Sequence, residues 1–208
     1  MEDVTNLYLN LPQEANLQLA DPELVTFYTD LRERTLWLFG EIDDGWNEVV
    51  QLIVRFNRED KGLPIEKRKP IKLMILSGGG SLEITDELVN IIELSKTPIY
   101  GFGLGMVASG ASMIYLACHK RFALKNTYFI IHKGSANNIG GDYAQIAAYM
   151  KDYDKQIEKM VQFYKTHTTF KEEIIEQKMS GADWYVYVDE ALKNGIVDEL
   201  ISNIDMMV

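Results

Sequence analysis

The 208-residue sequence contains a single cysteine, Cys118, and fewer basic than acidic residues. One cysteine excludes an internal disulfide and suits a reducing compartment, so we expect a cytoplasmic protein. With 21 Lys and Arg against 31 Asp and Glu, the net charge of −10 argues against nucleic-acid binding, because phosphate contacts depend on clustered cations. Met1 is followed by Glu2 and Asp3, whereas a secretory signal begins with basic residues, so none is expected.

Long apolar runs are also scarce. Residues 97–118 form the one stretch long enough to cross a bilayer. Their Gly, Ala and Ser content and their position between two strand-like segments favour burial in a protein core, so we expect no membrane contact. Repeats, low-complexity tracts and linkers are missing too. The chain therefore suits one domain over residues 1–208, able to bury roughly 70% of its unfolded surface, with residues 1–22 as an N-terminal segment that can be flexible.

Strand-like and helix-like segments alternate along the chain. Strands are predicted at 35–39, 71–76, 99–103, 128–131 and 184–187, and helices at 46–56, 82–94 and 109–118. This alternation predicts a layered α/β fold with mostly parallel strands. The charged residues 60–70 are expected to form an exposed loop.

A long amphipathic helix is predicted at about residues 140–166. Asp142 can cap it, and Gln145 at the third helical position completes a capping box. Apolar side chains recur along it at three- and four-residue spacing: Tyr143, Ile146, Ala147, Met150, Tyr153, Ile157, Met160, Val161 and Tyr164. Packing on a sheet accounts for only part of so long a stripe, so the excess indicates an oligomer interface. A second capping box, Thr169 with Glu172, is expected to open the next helix.

Two segments carry the side chains of a nucleophile and a base. Ser109 lies between a buried strand-like run and an apolar helix, where free backbone N–H groups and the helix dipole can stabilise an oxyanion. His132 directly follows the apolar run 128–131, at the point where a buried strand emerges. A hydroxyl among small residues and an imidazole at a strand end are the parts of a serine nucleophile and its base. Simpler roles stay open, with Ser109 as a helix N-cap and His132 as a structural histidine.

A glycine-rich turn, Ser77-Gly78-Gly79-Gly80-Ser81, follows the strand predicted at 71–76. Three glycines let the backbone run close to a ligand. The Lys-Ser/Thr pair of a phosphate-binding P-loop is missing, because Ser81 and Leu82 follow Gly80. The turn can instead bind an extended peptide or supply an oxyanion-hole N–H, and we expect neither a cofactor nor a metal.

Four motifs, in the right order, resemble those of the proteolytic subunit of the Clp protease, a self-compartmentalising serine peptidase of crotonase-like fold. They are Gly-Met-Val-Ala-Ser at 105–109 (nucleophile motif), Arg-Phe-Ala-Leu-Lys-Asn-Thr-Tyr-Phe-Ile-Ile-His at 121–132 (base motif), Ser-Gly-Gly-Gly at 77–80 (substrate turn), and Asp-Trp-Tyr-Val-Tyr-Val-Asp-Glu-Ala at 183–191 with Gly-Ile-Val-Asp at 195–198. The resemblance runs from about Glu23 to Ile201. Gly78 stands where the family usually has proline, and Lys133-Gly134 where Gln-Pro is common, which should leave both loops freer.

This resemblance implies a role for each site residue. Ser109 would be the nucleophile, His132 the general base, and Asp183 the carboxylate that holds the imidazole. The implied binding groups are the backbone N–H groups of Gly80 and Gly110 for the oxyanion hole, and Gly78, Gly79, Gly134 and Ser135 for substrate. The long helix would be the handle through which two rings of seven subunits meet. The resemblance also implies an AAA+ ATPase that delivers unfolded chains. That partner would hydrolyse the ATP, because this chain has no nucleotide motif of its own.

The expected function is therefore that of a serine endopeptidase subunit, with two alternatives. One is a non-catalytic assembly subunit that keeps the fold and oligomerises, although the intact set of Ser109, His132 and Asp183 argues against it. The other is an acyl-CoA-processing crotonase, which would need a carboxylate such as Glu83 as acid or base. Of the remaining histidines, His119 and the one at position 167 are poor base candidates, because cations near helix C-termini explain both.

Overall fold

The structure, a computed structural model, describes residues 21–134 and 140–208. The chain divides into two compact units, residues 1–33 and 34–208. In the first unit the described part is helix α1 (Pro22–Arg32), which Asp21 caps by accepting a hydrogen bond from the Glu23 N–H at 2.9 Å. Most of the N-terminal segment predicted at 1–22 lies outside the described residues. One domain over the whole chain stays a prediction.

The second unit alternates strands and helices. Its elements are β1 (Thr35–Ile42), α2 (Asn47–Glu59), β2 (Ile71–Gly80), α3 (Leu82–Leu94), β3 (Ile99–Ala108), α4 (Gly110–Ala117), β4 (Lys120–Ala123), β5 (Tyr128–Ile131), α5 (Tyr143–His167), α6 (Glu172–Met179), β6 (Trp184–Tyr187), α7 (Val188–Lys193) and β7 (Glu199–Leu200). Short 3₁₀ turns lie at Asp44–Trp46, Ile65–Lys67 and Ile204–Met206. The layered α/β fold expected from the sequence is confirmed.

The described strands form one sheet in which β3 is the central strand. The order is β1-β2-β3-β4-β7, with β5 paired to β3 and β6 paired to β5. The first part of β3 pairs with β4, as in Tyr100 opposite Lys120, and its last part pairs with β5, as in Ala108 opposite Ile130. These pairs are parallel, and β6 alone among the described strands runs antiparallel to its neighbour. The carboxyl ends of β2, β3 and β5 therefore meet at one edge of the sheet.

The core lies where α4 covers β2 and β3 and α3 packs against α4. Every residue of α4 is buried, which explains why this helix is apolar on all its faces. The apolar run 97–118 thus folds as β3 followed by α4. Within 21–134 and 140–208, no helix combines the length and the apolar character that crossing a bilayer requires.

The capping box predicted for helix α5 is confirmed. The Asp142 Oδ1 accepts a hydrogen bond from the Gln145 N–H at 2.9 Å, and the Gln145 Oε1 accepts one from the Asp142 N–H at 2.9 Å. Only the C-terminal half of the helix packs tightly on its own unit, since Met160 and Tyr164 are buried there. Residues 141–150 are all exposed, with Tyr143 at 89%. The apolar stripe is therefore divided into a buried and an exposed part.

Three local expectations are wrong. The glycines at 78–80 complete β2 instead of forming a turn, and Gly80 pairs with Ile42 of β1. The expected capping box at Thr169 does not form, because α6 begins at Glu172, directly after an N-cap residue, Lys171, whose side chain makes no cap hydrogen bond. Asp60, expected on an exposed loop, is buried. Its carboxylate can leave water because it accepts two hydrogen bonds from the Arg34 guanidinium, at 2.6 and 2.9 Å.

Candidate active site

Ser109 occupies a strained turn between β3 and α4. Its backbone has φ 54° and ψ −127°, a conformation that side chains disfavour, and its N–H donates to the Ile130 C=O at 2.8 Å. The side chain makes no cap hydrogen bond to α4, so the simpler N-cap role is wrong. Within the described residues the Ser109 hydroxyl makes no hydrogen bond at all. A reactive serine on a strained strand-to-helix turn has this geometry.

Gly79 approaches Ser109, and Gly110 approaches α3, so closely that no side chain would fit at either glycine. A Cβ atom added to Gly79, whose φ is +95°, would lie 2.6 Å from the Ser109 Cβ and 2.9 Å from the Ala108 O. One added to Gly110 would collide with the Thr85 Oγ1. The expected oxyanion-hole residue Gly80 likewise leaves no room for a Cβ against the backbone of Ile42. These close approaches explain why small residues surround the serine.

His132 and Asp183 come together because of the way the strands pair. β5 and β6 are antiparallel with Ile131 opposite Trp184, so the residue after β5 faces the residue before β6. The His132 Nδ1 lies 3.5 Å from the Asp183 Oδ1, with the two side chains 31% and 53% exposed. A proton on Nδ1, attracted to this carboxylate, leaves Nε2 as the proton acceptor.

A cavity of about 770 Å³ opens at the carboxyl edge of β2, β3 and β5. Ser109 and His132 both line it, together with the predicted residues Gly78, Gly79, Gly80, Gly110 and Gly134. Asp183 does not line this cavity and borders a separate one of about 430 Å³. Ser135, predicted to bind substrate, lies outside the described residues. The fold thus gathers the expected nucleophile and base around one space, with the expected carboxylate behind the base.

Sequence reasoning missed the part of the cavity wall that α5 provides. Tyr149, Asp152, Tyr153, Gln156 and Met160 line it, and two further carboxylates, Glu41 of β1 and Glu83 of α3, line the same cavity. The Tyr153 hydroxyl donates to the Gly134 C=O at 3.2 Å and so connects α5 to the segment after His132. The sequence contained a signal for this wall, because positions 149, 152, 153, 156 and 160 share one face of the predicted helix.

The other two histidines are engaged elsewhere. The His119 Nδ1 accepts a hydrogen bond from the Ile99 N–H at 3.0 Å. The His167 Nε2 lies 3.1 Å from the Glu93 Oε1. Neither residue lines the cavity, which agrees with their low rank as bases. No group of three or more potential metal ligands occurs in the described ranges.

A serine on a sharp turn between a strand of a parallel sheet and the helix that follows is an arrangement known from serine hydrolases. Comparison with known proteins gives the particular family. The family model described as Clp protease matches residues 20–204. The chain therefore belongs to the Clp protease family.

Individual relatives agree with this membership. The ATP-dependent Clp protease proteolytic subunit 2 of Treponema pallidum is 27% identical, with 91% of this chain and 92% of the relative covered. The proteolytic subunit 3 of Rhizobium meliloti is 25% identical over 98% of this chain and 94% of its own length. Among solved structures, a single-residue mutant of ClpP1 from Listeria monocytogenes superimposes with a TM-score of 0.74 at 27% identity, covering 88% of this chain and 99% of the other.

Proposed function

We propose that this chain is a serine endopeptidase subunit in which Ser109, His132 and Asp183 act as a catalytic triad. One observation carries the proposal. Ser109 lies in a strained turn, its side chain makes no capping hydrogen bond, and it lines the same cavity as His132, whose Nδ1 lies 3.5 Å from the Asp183 Oδ1. The chain order Ser, His, Asp differs from that of the familiar serine hydrolases, which fits a triad recognised by the roles of its residues.

In the proposed reaction, the Ser109 Oγ forms a bond to the peptide carbonyl carbon while its proton passes to the His132 Nε2. The carbonyl electron pair moves to oxygen, and the backbone N–H groups of Gly110 and Gly80 stabilise that charge. The C–N bond then breaks, and the amine leaves with the proton held by His132. Water then gives a proton to the His132 Nε2 while its oxygen bonds to the acyl carbon. The ester C–O bond breaks, and the Ser109 Oγ leaves with that proton as the acid product is released. Asp183 keeps the imidazole in the required tautomer throughout.

The hydroxyl of Ser109 must turn towards His132 for this chemistry, since the two side chains are not hydrogen-bonded in the structure described for residues 21–134 and 140–208. Catalytic hydrogen bonds are often long in the free enzyme and shorten when substrate binds. The cavity at the ends of three strands, with glycine backbone on one wall, suits an extended peptide.

We further propose that the subunits assemble through α5 into two stacked rings of seven. Exposed apolar side chains in its N-terminal half support this: Tyr143, Ile146, Tyr149 and Met150 lie within about two turns and are each at least 39% exposed. The ATP-dependent relatives support a cytoplasmic AAA+ ATPase as the partner that delivers unfolded chains.

Labelling with a fluorophosphonate tests the nucleophile. The wild-type protein should be modified, Ser109→Ala should not, and Ser95→Ala, which removes another hydroxyl on a different loop, should react like wild type. Peptide hydrolysis by Ser109→Ala should fall by several orders of magnitude. Equal labelling of Ser109→Ala would refute the assignment. An unlabelled wild type would favour the non-catalytic assembly subunit, and acyl-CoA turnover that depends on Glu83 would favour the crotonase.

The ATPase is tested separately. Degradation of an unfolded protein should require both an added AAA+ unfoldase and ATP, whereas short peptides should be cleaved without either. Equal degradation of folded and unfolded proteins by the chain alone would contradict the partnership and leave the peptidase assignment standing.

A further inference from the structure

A buried chain of hydroxyl groups connects helix α5 to the Ser109 turn. The Tyr164 hydroxyl lies 2.7 Å from the Ser112 Oγ, and the Ser112 Oγ donates to the Ser109 C=O at 2.6 Å. Ser112 and Tyr164 are each only 1% exposed. We propose that Tyr164 and Ser112 are positioning residues that orient the oxyanion-stabilising N–H of Gly110, an inference that rests on the proposed function of Ser109.

The direction of the hydrogen bonds follows from counting protons. The Ser109 carbonyl can only accept, so the single hydroxyl proton of Ser112 is used in that bond. Tyr164 must therefore donate to the Ser112 oxygen. Burial raises the pKa of Tyr164 to about 12, although the hydrogen bond with Ser112 opposes the rise, so the phenol keeps its proton at neutral pH. Tyr164 thus remains a donor throughout the working range of a peptidase.

The geometry of the peptide bond carries this effect to the oxyanion hole. The C=O of Ser109 and the N–H of Gly110 belong to one planar peptide unit, so fixing the carbonyl also fixes the direction of the N–H. Ser112 holds this carbonyl twice, through its hydroxyl and through its own N–H at 2.9 Å. The plane needs such support because Ser109 has a strained φ of 54° and a relaxation of the turn would rotate it.

A positioning role and a merely structural role lead to different kinetics. An oxyanion-hole N–H acts mainly in the transition state, so misorienting it lowers kcat and leaves KM unchanged. A purely structural hydroxyl pair would change the unfolding temperature without this selective loss. Tyr115 provides a matched control, because it is equally buried and its hydroxyl donates to the Phe122 C=O at 2.9 Å, away from Ser109.

The test uses the assembled protein, with assembly checked by light scattering, and compares Tyr164→Phe, Ser112→Ala, the double variant and Tyr115→Phe. Tyr164→Phe and Ser112→Ala should each lower kcat by about tenfold at unchanged KM, less than the loss of a whole oxyanion donor. Fluorophosphonate modification should slow by a similar factor. Tyr115→Phe should lower the unfolding temperature by about 2 to 4 °C, as one lost hydrogen bond does in a chain of this size, and leave kcat within about twofold.

The double variant separates stability from catalysis. Ser112→Ala alone leaves the Tyr164 hydroxyl buried and unpaired, and removing that hydroxyl as well should recover part of the lost unfolding temperature. The value of kcat should not recover, since the Ser109 carbonyl is still unsupported. Three results would overturn the positioning role while Ser109 stays the nucleophile. The first is a kcat that recovers together with stability in the double variant, and the second is a loss of activity that appears as a raised KM. The third is a Tyr164→Phe variant as active as Tyr115→Phe. A wild-type protein that does not react with the fluorophosphonate would overturn both proposals.

Discussion

Replacing Ser109 by glycine should stabilise the protein relative to alanine at the same position, although both variants lose the proposed nucleophile. The reason is the backbone of Ser109, whose φ of 54° and ψ of −127° are unfavourable for any residue that carries a Cβ atom. Alanine keeps this strain and glycine removes it. Comparing the two variants with each other cancels the loss of the hydroxyl, so the difference reports on the backbone alone.

The expected magnitude follows from two opposing contributions. A non-glycine residue at positive φ costs about 1 to 2 kcal/mol in the folded state. Glycine costs about 0.4 to 1 kcal/mol relative to alanine, because it loses more conformational freedom on folding. Together they leave Ser109→Gly more stable than Ser109→Ala by roughly 1 kcal/mol. At a position with negative φ, the alanine variant should instead be more stable than the glycine variant.

Ser95 provides such a position, because it follows α3 with φ −67° and ψ 126°. Its hydroxyl donates to the Thr97 C=O at 2.7 Å, and both alanine and glycine remove that bond equally. Urea unfolding of all four variants at one protein concentration gives the two free-energy differences. Glycine should be the less stable choice at Ser95 and the more stable choice at Ser109.

A Ser109→Gly variant that is less stable than Ser109→Ala, by the same amount as at Ser95, would show that the turn is unstrained. The opposite result would mean that the site gives up stability to hold its serine in place, as functional sites often do. Because neither variant has a nucleophile, fluorophosphonate labelling of both should be absent and serves as the internal check.

Three further predictions concern assembly, pH and the proposed triad. Met150→Glu should split the double ring into smaller species by light scattering, because an unpaired carboxylate in an apolar contact costs several kcal/mol; an intact assembly would place the interface elsewhere. The Arg34 guanidinium holds the pKa of Asp60 below its usual value, so this pair should stabilise the fold above about pH 4 and lose its effect as pH falls through the lowered pKa. Asp60→Asn should then cost about 3 kcal/mol at pH 7 and little in acid, as measured by urea unfolding, and an equal cost at both pH values would contradict the ion-pair explanation. Asp183→Asn should lower kcat by several orders of magnitude, because the amide favours the wrong His132 tautomer, and a peptidase assay showing a loss of less than tenfold would remove Asp183 from the triad.

Local patterns in the sequence were enough to predict those features that depend on residues close together in the chain. The capping box of Asp142 and Gln145 forms as predicted because it needs only one helical turn. The limits of α3, at Leu82 and Leu94, are those predicted from the spacing of apolar residues. The capping box expected at Thr169 is an exception among the local predictions, because the helix begins only after Lys171.

Contacts between distant segments were decided by the tertiary structure. The spacing of apolar residues marks which face of α5 is hydrophobic, but packing decides that Met160 is buried while Met150 is exposed. Asp60 likewise becomes buried because the chain brings Arg34 and Thr97 to it from two other segments. Neither partner is visible in the charged run that surrounds Asp60.

The candidate site shows the same division. The sequence by itself indicated Ser109 and His132 from their local settings, after a buried strand in each case, and Asp183 by resemblance alone. Pairing of β5 with β3 and of β6 with β5 decided that these residues lie together. The hydroxyl chain from Tyr164 to the Ser109 turn depends entirely on the packing of α5 against α4. A hydrogen bond between helices needs both backbones in place, whereas periodicity and capping describe one segment at a time.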